Sequence, residues 1–199
     1  MIEKFVTSII EMQLRIGTIQ KDDIKVYQYG YTLLIEVFFN IVLSCIVSIL
    51  LGRFQEYIFF MCVFIPLRSF CGGYHAEKAW KCIVLSNVSI VSAIYFADFI
   101  TQANIPLFWF LTGDICLGII IMHFSPIESS NNRLTDVQRQ LYKKYARVIL
   151  IIEILAGSLL FLFGYKNMFS IIGGAHIVQT ISLITQTVSD YRGYYWHVS

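Results

Sequence analysis

Residues 66–82, Pro-Leu-Arg-Ser-Phe-Cys-Gly-Gly-Tyr-His-Ala-Glu-Lys-Ala-Trp-Lys-Cys, gather Arg68, Gly72, Gly73, His75 and two cysteines, Cys71 and Cys82. A histidine that takes a thiol proton leaves a thiolate able to attack a carbonyl. Two adjacent glycines let backbone approach a substrate or turn N–H groups toward a developing oxyanion. Arg68 offers a permanent charge that lowers the pKa of a nearby thiol or holds a carboxylate. In an unbroken helix His75 and Cys82 would share a face yet lie roughly 10 Å apart along the axis. The pair therefore requires Gly-Gly-Tyr-His to fold back as a loop beside a helix beginning near Ala76, with Gly72-Gly73 as the break.

Plainer readings compete. Cys82 is also a small apolar residue at the start of a helix, and Arg68 an interfacial anchor at a span end. Cys71 lies closer to His75 and is the second candidate nucleophile. A zinc site built from Cys71, His75 and Cys82 lacks the paired Cys-x-x-Cys spacing of structural zinc, so no metal is expected.

The elements that must carry this stretch are apolar to a degree that excludes a soluble core. The chain has 199 residues, 57% hydrophobic and 14% charged, and its mean hydropathy is +0.66. The bilayer must act as solvent for much of that surface. The fold class is all-α: one integral membrane domain, residues 1–199, with about six transmembrane helices. No signal peptide is expected, because Glu3, Lys4, Glu11 and Arg15 interrupt the first apolar positions. Five cysteines at irregular spacing argue for reduced thiols rather than a disulfide framework.

Residues 1–25 place Phe5, Ile9, Met12 and Ile16 on one stripe, with Val6 and Ile10 beside it. This predicts an amphipathic helix, lying on the membrane surface or packed on the protein itself, that ends or bends at Gly17. The six-span core, residues 31–188, has candidate spans at 31–51, 54–67, 82–100, 105–124, 148–165 and 168–188. The second is short, ending at Pro66-Leu67, and Cys82 falls at the entrance of the third. Residues 125–147 form a polar stretch read as a solvated helix and turn, and residues 189–199 an aromatic, polar tail.

The basic residues orient these spans. With six of them, Lys4, Arg15, Lys21, Lys25, Arg68, Lys78, Lys81, the five cations of residues 125–147 and Arg192 share one side, leaving Arg53 and Lys166 on the other. The positive-inside rule makes the first side cytoplasmic, both termini and a catalytic loop included. Glu36, Asp114 and Glu153 lie inside spans, where ionisable groups are costly; they either serve a function or pair with His123, His176 or one another. Gly173-Gly174 reads as helix packing by small residues.

Arg-x-x-x-Gly-Gly-Tyr-His-Ala followed by Cys82, directly after an apolar span, resembles the accessory gene regulator B (AgrB) family. A second similarity lies at Ser125-Pro126-Ile127-Glu128 and Asn131-Asn132-Arg133-Leu134, with arginine where lysine is more usual. The resemblance covers nearly the whole chain in length and hydropathy. It implies a cell-membrane cysteine endopeptidase that processes quorum-sensing peptide precursors, with His75 and Cys82 catalytic. It also puts Arg68 and Gly73 on motif positions, with Gly72 beside them as substrate-binding or oxyanion support. It further implies a homodimer and a precursor of the AgrD type, amphipathic with an acidic tail, cleaved through a Cys82 thioester and cyclised to a thiolactone or lactone. No cofactor and no nucleic-acid partner are expected. The competing function is a small transporter or channel in which Glu36, Asn40, Asp114, Glu153 and His176 line a polar path.

Overall fold

The computed structural model describes residues 2–20, 23–74, 79–103, 105–127 and 134–198. These residues form seven α-helices and no strand. Six of the helices are long and apolar enough to cross a membrane, as expected of a multi-pass membrane protein. The chain divides into two compact units, Met1–Leu51 and Gly52–Ser199.

The first unit holds α1 (Ile2–Ile16) and α2 (Ile24–Leu50). Its core is Val6, Ile10 and Ile19, packed against Leu14, Ile24, Tyr31 and Ile35. Gln13 Nε2 donates to the Tyr31 hydroxyl at 2.6 Å, and Gly17 ends α1 with φ +79°, a conformation that favours glycine. The apolar stripe of α1 is thus divided. Val6 and Ile10 face inward, while Phe5, Met12 and Ile16 stay exposed, a face suited to a bilayer surface.

The second unit comprises α3 (Phe54–Cys71), α4 (Ala79–Gln102), α5 (Leu107–Phe124), α6 (Asp136–Leu162) and α7 (Lys166–Val198). Each of the first four buries a stripe at helical spacing. In α3 it is Tyr57, Phe60, Val63, Leu67 and Cys71; in α6 it is Ala146, Leu150, Glu153 and Gly157. α7 differs: from Phe169 to His176 it is buried all round, which marks a central helix. It packs against α3, α4, α5 and α6. A Cβ on Gly173 would meet the Phe110 ring at 2.5 Å, and one on Gly174 the Ala93 carbonyl oxygen at 3.2 Å. The glycine pair is what lets α4 and α5 approach so closely.

Several boundaries differ from the sequence reading. α2 starts at Ile24 rather than 31, its first turns packed on the α1 core, and α4 starts at Ala79, ahead of Cys82. α3 does not stop at Leu67 but runs through Pro66 to Cys71, roughly 27 Å of helix at 1.5 Å per residue and close to a full hydrocarbon core. The missing N–H of Pro66 weakens the helix, but Leu67 and Cys71 continue the buried stripe beyond it. The polar stretch after α5 contributes the first turns of the fifth span itself. α6 starts at Asp136 behind a capping box, in which Thr135 and Gln138 satisfy each other's backbone N–H. Finally, α7 continues past Val188 to Val198, so the tail is helical through its described residues.

Candidate active site

α3 ends where Gly72 turns left-handed, φ +72°, its N–H bonded to the Arg68 carbonyl oxygen at 3.0 Å. This is the break expected at Gly72-Gly73. Arg68, in the last turn of α3, folds back over the segment that follows. Its Nη1 donates to the Gly72 carbonyl oxygen at 3.1 Å and to Ser182 Oγ, and its Nη2 to the Tyr74 carbonyl oxygen at 2.6 Å. A guanidinium presents several donors in a fixed plane, so one side chain can hold two carbonyls two residues apart. The charge that the sequence offered to a substrate carboxylate or an oxyanion is engaged with the chain's own backbone.

α7 completes the clamp. Gln179 Nε2 donates to the Gly72 carbonyl oxygen at 2.9 Å. The Tyr74 N–H donates to Ser182 Oγ at 3.0 Å and approaches the Ser182 carbonyl oxygen at 3.2 Å. Residues 72–74 are therefore fixed by side chains from both α3 and α7. The Arg68 bonds are charge-assisted and contribute on the order of 1.5–3 kcal/mol each, the neutral bonds of Gln179 and Ser182 about 0.5–1.5 kcal/mol.

Both glycines are dictated by this packing. Gly73 has φ +140°, and a Cβ there would overlap the Arg68 guanidinium, with Cζ at 2.8 Å and Ser182 Oγ at 2.6 Å. A Cβ on Gly72 would run into the Ile127 carbonyl oxygen. Ile127 itself donates its N–H to the Cys71 carbonyl oxygen at 3.0 Å. The Ser125-Pro126-Ile127 turn and the Cys71–Gly72 turn are separate in sequence and meet here.

The two thiols differ sharply. Cys71 is fully buried, in a cluster with Leu67, Ile121, Ala146, Leu150 and Leu183. Cys82, in the first turns of α4, is only half-buried. Both lie within electrostatic reach of the Arg68 guanidinium. His75 lies outside the described residues, as do Lys78, Glu128 and Asn131-Asn132-Arg133 of the second stretch. The clamp thus fixes the backbone up to the residue before the histidine.

Gln179 and Ser182 are functional residues that the sequence reading missed. Their bonds to the loop join positions more than a hundred residues apart. The available signal was a pair of polar side chains one turn apart in a span that also holds His176, Thr180, Thr185 and Gln186.

Deeper in the helices, Asp114, Glu153 and His176 close on one another. Asp114 Oδ1 lies 2.6 Å from His176 Nδ1, and Glu153 Oε2 lies 3.0 Å from His176 Nε2. Pairing was one of the sequence-level options for these groups, and the structure adopts it. At the polar end of α6, a cleft of about 410 Å³ is lined by Gln140, Lys143, Lys144, Arg147 and Val148.

The model of the family described as accessory gene regulator B matches residues 2–183 of the chain. No curated protein and no solved structure matches it.

Proposed function

The chain belongs to the accessory gene regulator B family, and from that premise we propose that it is a membrane cysteine endopeptidase acting on an AgrD-type precursor. Members of this family take part in quorum-sensing peptide processing. In the proposed reaction His75 takes the Cys82 proton and the thiolate attacks the scissile carbonyl. The tetrahedral intermediate then collapses to a thioester as His75 returns the proton to the leaving amine. A cysteine or serine of the precursor next attacks the thioester, closing a thiolactone or lactone ring and releasing the Cys82 thiol.

The observation that carries this reading is the clamp. Arg68, Gln179 and Ser182 fix the backbone directly before His75 and put the Arg68 charge within reach of Cys82. A histidine that must meet a thiol seven residues later needs such a defined chain path. Arg68, Gly72 and Gly73 thereby support the site by holding its backbone. Cys82 is the more accessible thiol and Cys71 a core residue, which favours Cys82 as nucleophile. The basic cleft on α6 suits an acidic precursor tail. A cytoplasmic site, cytoplasmic termini and a homodimer complete the proposal. Asp114, Glu153 and His176 are 3%, 8% and 0% exposed and bonded to each other, an arrangement suited to holding helices rather than lining a polar path.

The test is co-expression with the precursor, comparing wild type with Cys82→Ala, His75→Ala and Cys71→Ala. Precursor shortening lost in the first two and kept in the third, with a thiol-sensitive adduct on Cys82 in the wild type, is the expected result. Shortening that persists in Cys82→Ala overturns the mechanism.

A further inference from the structure

In α7 the polar residues His176, Gln179, Ser182 and Thr185 recur at steps of three, and the first three form a column. Successive members are 60° apart around the helix, and the whole column is about 9 Å long. Its far end sits in the core. Its near end grips residues 72–74. We propose that this column is the positioning device of the reaction centre. The Asp114–His176–Glu153 bridge sets the rotation of α7, and Gln179 and Ser182 pass that rotation to the backbone that presents the histidine. The inference rests on the endopeptidase reading and deepens it.

Each link has its own physical support. Both ring nitrogens of His176 face carboxylate oxygens, at 2.6 and 3.0 Å. Two such contacts need two protons, one more than a neutral imidazole carries. The bridge therefore ties α5, α6 and α7 through charge-assisted bonds between buried groups. Buried ionic groups cost free energy, and fixing one arrangement among several is their best-attested use. Apolar packing holds α7 closely against its neighbours, and a side chain bonded at both ends selects one rotation among similar packings.

Gln179 is the second link. It is fully buried, and its Nε2 is spent on the Gly72 carbonyl oxygen at 2.9 Å. Its Oε1 has no hydrogen-bond partner among the described residues. Turning the amide over would set oxygen against oxygen, so the Gly72 bond decides the orientation. An amide whose burial leaves one atom unpaired costs more than an apolar residue of the same size would. Only the bond to the motif offsets that cost. Ser182 is the third link. Its Oγ accepts from both Arg68 and the Tyr74 N–H, so one hydroxyl couples the guanidinium to the loop backbone.

The experiment uses the purified full chain and a synthetic precursor, with turnover expressed per folded chain recovered as a monodisperse species in detergent. Misplacing a reacting group by about 1 Å costs on the order of 100-fold. Ser182→Ala and Gln179→Met are each expected to lower kcat by about 10- to 100-fold, with KM changed less than about threefold. Asp114→Asn, remote from the loop, is expected to lower kcat by about 10-fold. The decisive measurement adds Asp114→Asn to the double variant Gln179→Met with Ser182→Ala. If the bridge acts through the column, Asp114→Asn costs nothing further in that background, because both links to residues 72–74 are already broken. Losses that multiply overturn the proposal, as does an unchanged kcat in both Ser182→Ala and Gln179→Met. A role in folding alone lowers the yield of folded chain and leaves kcat per folded chain intact, which also overturns it. Failure of the endopeptidase reading shows separately, as absence of any Cys82 adduct in the wild type.

Discussion

α3 has an arginine at each end, and the two are used in opposite ways. Arg53, before the first turn, donates to Glu56 Oε1 at 2.9 Å and Asp98 Oδ2 at 2.5 Å. It is neutralised by two carboxylates, and the Glu56 hydrogen bond raises its pKa above the ordinary value. Its side chain is 33% exposed. Arg68, in the last turn, has no carboxylate partner among the described residues. Its partners are the Gly72 and Tyr74 carbonyls and the Ser182 hydroxyl, and the groups its charge acts on are Cys82 and Cys71. An arginine matched by acids fastens one helix to the next. An arginine matched by carbonyls shapes a loop and keeps its charge for whatever negative charge develops nearby.

The largest expected effect breaks the comparison at the guanidinium itself. Lysine keeps the charge but loses the planar fork. Arg68→Lys is therefore expected to lower precursor turnover by about 100-fold, because the backbone before His75 loses at least one of its holds. Arg53→Lys, which can still reach a carboxylate, is expected to change turnover by less than about twofold and stability by under about 1 kcal/mol. Turnover per folded chain and thermal melting in detergent read both. Equal losses from the two variants would show that Arg68 is another fastener.

The glycines sharpen the same contrast. Gly52 and Gly73 both have positive φ, +68° and +140°. A Cβ on Gly52 meets nothing within 4 Å, whereas one on Gly73 overlaps the Arg68 guanidinium and Ser182 Oγ. Gly52→Ala is expected to cost only the conformational strain, about 1 kcal/mol. Gly73→Ala adds displacement of the clamp and is expected to cost about 3 kcal/mol. Melting curves of the two variants separate strain from overlap. A Gly73→Ala chain as stable as Gly52→Ala would mean that Arg68 moves aside freely.

How much of this was legible in the sequence follows from the range of each interaction. Helical spacing and apolar run length are local, so the six spans, the α1 stripe and the break at Gly72-Gly73 could be read directly. Pro66 misled because its local cost is outweighed by burial of Leu67 and Cys71 against other helices, which no local window contains. The polar start of α6 misled for a related reason: composition marks where a helix leaves the membrane, not where it ends. Thr135 and Gln138 did carry a local signature of the true start. Asp114, Glu153 and His176 could be flagged by the cost of charge in a span, but their mutual pairing depends on helix order and rotation. Gln179 and Ser182 were legible only as polarity out of place. Their role appears when Gly72 and Tyr74 are set beside them.

The smallest effect tests the fastener end alone. Asp98 binds Arg53 across the start of α3 and the end of α4, and its side chain is 19% exposed. Two charges at that distance attract strongly, yet ordering both side chains and removing water offset most of the gain. Asp98→Asn keeps the shape and one hydrogen-bond acceptor, so its expected cost is about 0.5–1 kcal/mol. At 1 M salt the Debye length falls to about 3 Å, and the difference from wild type should shrink toward zero. The bonds of Arg68 to carbonyls and a hydroxyl do not depend on an opposite charge, and salt should leave them nearly unchanged. Melting temperatures of wild type, Asp98→Asn and Ser182→Ala at low and high salt make the contrast measurable. A salt-sensitive Ser182→Ala difference would show that the Arg68 end is held by an ion pair after all.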